Sequence, residues 1–410
     1  MKILVYGINY YPELTGIGKY TGEMCEWLAA KGHQVEVITA MPYYPEWKIR
    51  ADYAGKKHFT EIIKGVKVRR TPLYVPTEIT GKSRIRQEIS FIFKSLPHWI
   101  PAMFRSYDVV IGICPPLQTG VFPLLYKFFR RKPLVFHVQD LQVDAARDLG
   151  MLKNKFFLNL LLGIEKYIIK KASGVSSISP GMKRKILAKG GLENNYIDLP
   201  NWSDTEFVRP ISKECSMRKE FGYGKEDKVI LYSGNMGSKQ GLEVVLEVAE
   251  QFSGRKDVHF LMAGEGAGKK ALKEAAARKG LQNMQFVGLQ PYEKLPEFLA
   301  VADLHLVVQK KAASDLVLPS KLMSILSAGG VPVVTALPGT SLYDLVRDRS
   351  LGFIAEPESE TALFEAVSKA LEEDLSVYRK NARRYAEEEL HISKILSNFE
   401  RTLKDTFYVK

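Results

Sequence analysis

Two segments in the second half of the chain have the residue types needed to hold a doubly charged anion. Leu231 to Gly241 (LYSGNMGSKQG) is an apolar run ending in a glycine-rich turn that contains Gly234, Asn235 and Lys239. Leu318 to Val334 (LPSKLMSILSAGGVPVV) brings Pro319, Ser320 and Lys321 to the start of a helical stretch that stops at Gly329 and Gly330. Glycines let backbone approach an anion closely, unpaired N–H groups at a helix start point at it, and the helix dipole favours negative charge there. Two such turns, each with a lysine, suit a diphosphate held without an obligatory metal. A diphosphate of this kind is the leaving group of a sugar nucleotide. A third glycine turn, Gly264-Glu265-Gly266, follows the apolar run VHFLM. Glu265 there either contacts a ligand or steers the helix behind it.

The first half offers fewer candidates. Gly16 and Gly18 lie in the loop after the first strand, either beside a passing phosphate or sugar or in a merely flexible turn. His137 and Gln139-Asp140 stand at the end of the run LVFHV. Residues two apart in a strand share a face, so His137 and Gln139 are expected to serve one site. The alternatives are a satisfied core histidine and an aspartate that caps the next helix.

These residues need a scaffold, and the periodicity supplies one. KILVYGIN (2–9) is a buried strand, Tyr20–Lys31 has apolar residues at helical spacing, and HQVEVIT (33–39) alternates as a strand. This opening predicts a doubly wound parallel sheet, with further strands at 66–70, 109–113, 134–138 and 174–178. The stretch DLPNWSD (198–204) has no period and contains a Pro-Asn turn, so it is the expected linker. Beyond it strands and helices alternate again: strands at 229–234, 258–264, 284–289, 303–309 and 331–335, helices at 242–252, 269–279 and 295–302. The fold class is therefore α/β, with two doubly wound domains over 1–200 and 201–385. A C-terminal helical segment, 386–410, is expected to pack back on the first domain. Ligands of such sheets bind beyond the C-terminal strand ends, so two of them would face across a cleft.

With 410 residues, 46% hydrophobic and 26% charged, the chain has the composition of a soluble globular protein. Its three cysteines have no metal-ligand spacing, and its first residues have no signal-peptide pattern, so a reduced, cytoplasmic setting is expected. The charge is uneven: residues 1–200 carry 30 Lys+Arg against 16 Asp+Glu, and the remainder 29 against 30. A basic first half points to acidic polymers or an anionic membrane surface. Ile79–Tyr107, with arginines and lysines among Phe91, Phe93, Trp99 and Phe104, is the expected membrane contact. Met151–Lys171 reads as a buried helix with basic ends. No recognition motif supports nucleic acid, and no residue cluster calls for a metal.

The motifs NYYPELTGIGKYTGEM, SSISPGMKRKI, LPNWSD, YSGNMGSKQGLE, MAGEGAGKKAL, FVGLQPYEKLPEFLAVAD and DLVLPSKLMSILSAGGVPVV occur in this order over nearly the whole chain. In that order they resemble the retaining glycosyltransferases of family four, which have the GT-B architecture of two Rossmann-like domains. YSGNMGSKQGLE, HVQDLQVDA and DLVLPSKL most resemble the colanic-acid biosynthesis fucosyltransferase subgroup. The resemblance implies a GDP-sugar donor, GDP-fucose first, no other cofactor, and a lipid-linked oligosaccharide acceptor. It further implies nucleobase contact at Val287-Gly288-Leu289 and catalytic or phosphate roles for His137, Asp140, Lys239 and Lys321. The chain departs from the family at Asn235 and Gln240, where many members have Arg and Lys, and Lys239 stands one residue early. Met323-Ser324-Ile325 occupies the region where members have glutamates, which leaves Asp315 as the nearest acid. The family's first-domain histidine falls on Gln139. The remaining readings are a UDP-sugar enzyme of the same fold and a non-catalytic nucleotide-sugar-binding subunit.

Overall fold

The computed structural model describes residues 1–13, 16–78, 80–148, 154–237, 239–311 and 319–408. The chain divides into two compact units, Met1–Pro200 with Ile395–Lys410, and Asn201–Lys394. In the first unit the order is β1 (Lys2–Tyr6), α1 (Gly16–Ala30), β2 (Gln34–Ala40), β3 (Phe59–Ile63), β4 (Val66–Thr71), α2 (Gly81–Lys94), α3 (Leu96–Met103), β5 (Val109–Cys114), α4 (Val121–Arg130), β6 (Leu134–Val138), α5 (Gln142–Asp148), α6 (Lys155–Lys171), β7 (Gly174–Ser177), α7 (Pro180–Ala188) and β8 (Tyr196–Asp198). The sheet order is β3-β4-β2-β1-β5-β6-β7-β8, parallel except for the β3–β4 pair. Burial on both faces is why β1 reads as a continuous apolar run. Leu4 pairs with Val110, and Val110 with Leu134, so these three share one face. That face, with Tyr6, is covered by Phe91 of α2, Trp99 of α3 and Tyr126 of α4. Farther along the sheet, Phe136 and Val138 are covered by Ile168 of α6 and Met182 and Ile186 of α7.

The second unit runs β9 (Lys228–Ser233), α8 (Glu243–Gln251), β10 (Val258–Ala263), α9 (Lys269–Arg278), β11 (Met284–Val287), α10 (Leu295–Leu299), β12 (Leu304–Val307), α11 (Ser320–Ser327), β13 (Pro332–Thr335), α12 (Ser341–Asp348), β14 (Phe353–Ala355), α13 (Glu360–Glu372) and α14 (Ser376–Glu389). Its sheet, β11-β10-β9-β12-β13-β14, is parallel throughout. Ile230 and Tyr232 face α8, α9 and α13, while Val229 and Leu231 face α10, α11 and α14. The last helix, α15 (Ile392–Phe407), passes from the second unit to the first. The passage occurs at Ile395 and not at 386, because Ala386 and Leu390 are packed in the second unit's core.

Candidate functional site

Because the second sheet is parallel, β9, β10 and β11 end along one edge, at Ser233, Ala263 and Val287. The loops leaving them lie directly on one another. Gly234 N–H donates to the Ala263 carbonyl (2.9 Å), Met236 N–H to that of Glu265 (2.8 Å), and Gly268 N–H to that of Met236 (2.8 Å). This stacking requires glycine. Gly234 and Gly264 have φ of 145° and 142°, and a Cβ on Gly264 would run into the Gly234 carbonyl oxygen.

Lys321 reaches this glycine loop from the first turn of α11. Pro319 gives that turn no side-chain cap, and the Leu322 N–H donates to the Pro319 carbonyl at 3.0 Å. The Lys321 Nζ lies 3.6 Å from the centroid of the Tyr232 ring. It sits so close to Gly234 that a Cβ there would be 2.9 Å away. Among the described residues it has no hydrogen-bond partner, although the atom is buried. Burial lowers its pKa to about 7. A buried ammonium is costly unless an anion joins it, and the adjoining features favour one: a helix start, a close backbone and a cation. Tyr232 supports the arrangement from below, its hydroxyl donating to the Asn235 carbonyl at 2.6 Å.

The structure brings Gly234, Asn235, Gly264, Glu265, Val287 and Lys321 to this edge. Glu265 is exposed and pairs with Lys269 (2.7 Å), so its carboxylate serves the start of α9. The Val287 carbonyl accepts from Gly264 N–H (3.3 Å) and Lys269 Nζ (3.2 Å), and Gly288 and Leu289 are exposed just beyond. Lys239 is half-buried, and its carbonyl accepts from Lys310 N–H at 3.0 Å. Gln240 Oε1 accepts from Gly237 N–H at 3.1 Å, closing the turn. Ser320 is exposed on the first turn of α11. Asp315 lies outside the described residues.

In the first unit, His137 is a correction. It sits inside β6 opposite Ser176 of β7, is 3% exposed, and its Nδ1 is 2.8 Å from the Ser176 hydroxyl. Burial pushes its pKa down to about 3. It is thus a neutral cross-strand partner in the sheet. Gln139 is buried with its N–H donating to the Cys114 carbonyl (2.8 Å), and half-buried Asp140 follows it. Gly16 is exposed at the start of α1. Gly18 is buried because Glu13 lies on it: a Cβ there would be 2.8 Å from the Glu13 Cβ.

Glu13 is the residue that the sequence reading missed. It is 3% exposed. Its Oε1 accepts from the N–H groups of Tyr43 (2.9 Å) and Tyr44 (3.0 Å), and its Oε2 from Asn9 Nδ2 (2.8 Å). Burial outweighs these bonds and raises its pKa to about 7. The available signal was a lone acid in an apolar loop just ahead of a glycine pair.

Comparison with known proteins decides the family. Residues 215–389 match the family described as Glycosyl transferases group 1, and residues 15–202 match the Glycosyl transferase 4-like domain. A protein of Escherichia coli K12 named as a colanic acid biosynthesis glycosyl transferase, WcaI, is 40% identical over 405 residues, 97% of this chain and 98% of that one. The chain belongs to the group 1 glycosyltransferases. Solved glycosyltransferase structures share its fold at low identity. Sucrose-phosphate synthase of Thermosynechococcus elongatus has a TM-score of 0.76 at 16% identity over 99% of each chain. HepE of Anabaena, solved with UDP and glucose, has 0.73 at 15% over 99% of this chain and 100% of its own. Among the described residues of this glycosyltransferase, no helix is long and apolar enough to cross a membrane.

Proposed function

We propose that the enzyme transfers fucose from GDP-fucose to a lipid-linked oligosaccharide, with retention at the anomeric carbon, in assembly of an exopolysaccharide of the colanic acid kind or a capsule. The observation that carries the donor-diphosphate part is the buried Lys321 ammonium, which faces the Gly234 loop without an anion among the described residues. The name of the 40%-identical WcaI supports the pathway. The fucose and GDP assignments rest on the motif resemblance. In this reading Lys321 and the N–H groups of its turn meet the negative charge that grows on the leaving phosphate, usually a large electrostatic contribution. The acceptor hydroxyl oxygen bonds to the anomeric carbon as the bond from that carbon to the phosphate oxygen breaks. The hydroxyl proton goes to the departing phosphate. The basic first unit takes the acceptor, at the inner face of an anionic plasma membrane.

Calorimetric titration with GDP, UDP, ADP and CMP tests the donor. Tight GDP binding that is lost in Lys321→Ala and unaffected by EDTA supports the reading. A UDP-sugar donor is the second reading, favoured by the likeness to HepE solved with UDP and glucose; a preference for UDP would establish it and remove the fucose assignment. Nucleotide binding without turnover on any lipid-linked acceptor would instead make the chain a binding subunit.

A further inference from the structure

The segment Gly81–Leu192 contains 19 Lys+Arg and 6 Asp+Glu, a net +13 that equals the charge of the whole chain. Glu88, Asp144 and Glu165 are buried, Asp108 and Asp140 are half-buried, and among the described side chains of the segment no acid is exposed. The same segment holds twelve of the sixteen exposed large apolar side chains found among the described residues. Positive charge and exposed apolar surface therefore coincide on one helical layer, in which α3 packs on α4 and α4 on α6.

Helix α4 shows the pattern most clearly. A surface helix normally turns its apolar stripe to the core. Here Val121, Leu125, Phe128 and Phe129, which form one stripe at helical spacing, point outward, with Phe128 75% and Phe129 70% exposed. The helix is anchored by its other side, where Tyr126 is fully buried and its hydroxyl donates to the Arg105 carbonyl at 2.8 Å. Phe104 (81%) and Phe156 (80%) extend the apolar surface onto the neighbouring elements. Where α4 ends, a groove of about 520 Å³ is lined by Lys127, Arg131, Lys132 and Ser173. Exposed phenylalanines beside a basic groove match an interface with hydrocarbon just below and phosphate just above. A second copy of this chain fits less well, because a two-fold contact would set this basic face against itself.

We propose that the outer face of α3, α4 and α6 docks on an anionic lipid bilayer, with Phe128 and Phe129 entering the acyl boundary and an anionic headgroup seated in the groove of Lys127, Arg131 and Lys132. This names the contact that a membrane-bound acceptor requires, yet the inference does not depend on the sugar or nucleotide assignment. The test is co-sedimentation of the full chain with vesicles of phosphatidylcholine alone and of phosphatidylcholine with phosphatidylglycerol. The wild type should pellet with the anionic vesicles only and be released by salt. Phe128→Ser with Phe129→Ser should weaken partition by about tenfold or more, with melting temperature and nucleotide binding unchanged. Arg131→Glu with Lys132→Glu should weaken it by about fivefold or more per residue changed. Wild-type protein that stays in the supernatant with anionic vesicles at low salt overturns the proposal. So does a phenylalanine variant that binds like wild type, or a wild-type dimer that the same variant dissolves. None of these readouts involves sugar transfer, so a failed donor assignment leaves this test intact.

Discussion

Lys321 is a cation stored where a free cation is disfavoured, and its titration exposes that. Its pKa falls from 10.5 to about 7 on folding, by burial. Between those values the unfolded chain holds a proton that the folded chain lacks, so this group's penalty on stability is full below pH 7 and fades as pH rises towards 10.5. A bound diphosphate restores the charge. Nucleoside diphosphate binding should therefore take up a proton above pH 7, and affinity should fall by up to about tenfold per pH unit there. Lys321→Met should abolish that slope and lower affinity by about 10- to 100-fold, while raising the melting temperature of the free protein. Calorimetry in buffers of different ionisation enthalpy measures the proton uptake; an unchanged slope in the variant would assign it to another group. Glu13 has the opposite sign. Its pKa rises from 4.5 to about 7, so its contribution is fullest below pH 4.5 and is lost as pH rises through 7. Glu13→Gln keeps an acceptor for Tyr43 and Tyr44, and should flatten that dependence at little cost. Glu13→Ala orphans two peptide N–H groups, at roughly 1–3 kcal/mol each. Denaturation at pH 5 and pH 8 compares the two, and equal stability of the variants would refute the acceptor role. The position of Lys321 was legible from its place after Leu-Pro-Ser, but not that its buried Nζ would have no hydrogen-bond partner among the described residues. The partners of Glu13 were illegible because Tyr43 and Tyr44 are 30 and 31 residues away in the chain. His137 misled because strand alternation shows a shared face and not the cross-strand Ser176.

At the scale of elements, the glycine loop after β9 and the turn after β10 act as one piece. Gly264 has φ of 142°, and a Cβ there would lie 1.9 Å from the Gly234 carbonyl oxygen. Gly264→Ala must therefore strain its own backbone and separate two loops at once, for roughly 2–4 kcal/mol. The expected result is a lower melting temperature together with weaker nucleotide binding. Gly254→Ala, where nothing lies within 4 Å, is the control that should change neither. This element was legible because a strand pattern ran straight into Gly234 in one case and Gly264 in the other. Elements were missed where no period can develop. β8 and β14 are three residues each, and β3 is an antiparallel edge whose FTEII has no fully buried position. The outward stripe of α4 was also unreadable. Its spacing says amphipathic helix, but only the packing shows that the buried side is the one bearing Tyr126.

Over the whole molecule, the sequence order of the two units hides one exchange. The first unit is completed by the end of the chain, since Ile395–Lys410 belongs with Met1–Pro200. Ile395, Leu396, Phe399 and Leu403 of α15 are buried. Glu400 accepts from the His33 ring at 2.8 Å, and a Cβ on Gly174 would be 3.1 Å from the Phe407 ring. The first unit's helical cover is thus completed only after the second unit has been made, and a piece ending at residue 200 lacks part of its core. Phe399→Ala removes a fully buried ring, which typically costs about 3–5 kcal/mol. Hydrogen exchange should then show β1, β2 and α1 losing protection while β9 and β10 keep theirs, because the cavity opens in one unit only. Protection lost first from β9 would mean that α15 belongs with the second unit. Nucleotide affinity in the same variant should stay within about twofold of wild type, since Lys321 and the glycine loop belong to the second unit and sites without shared partners act independently.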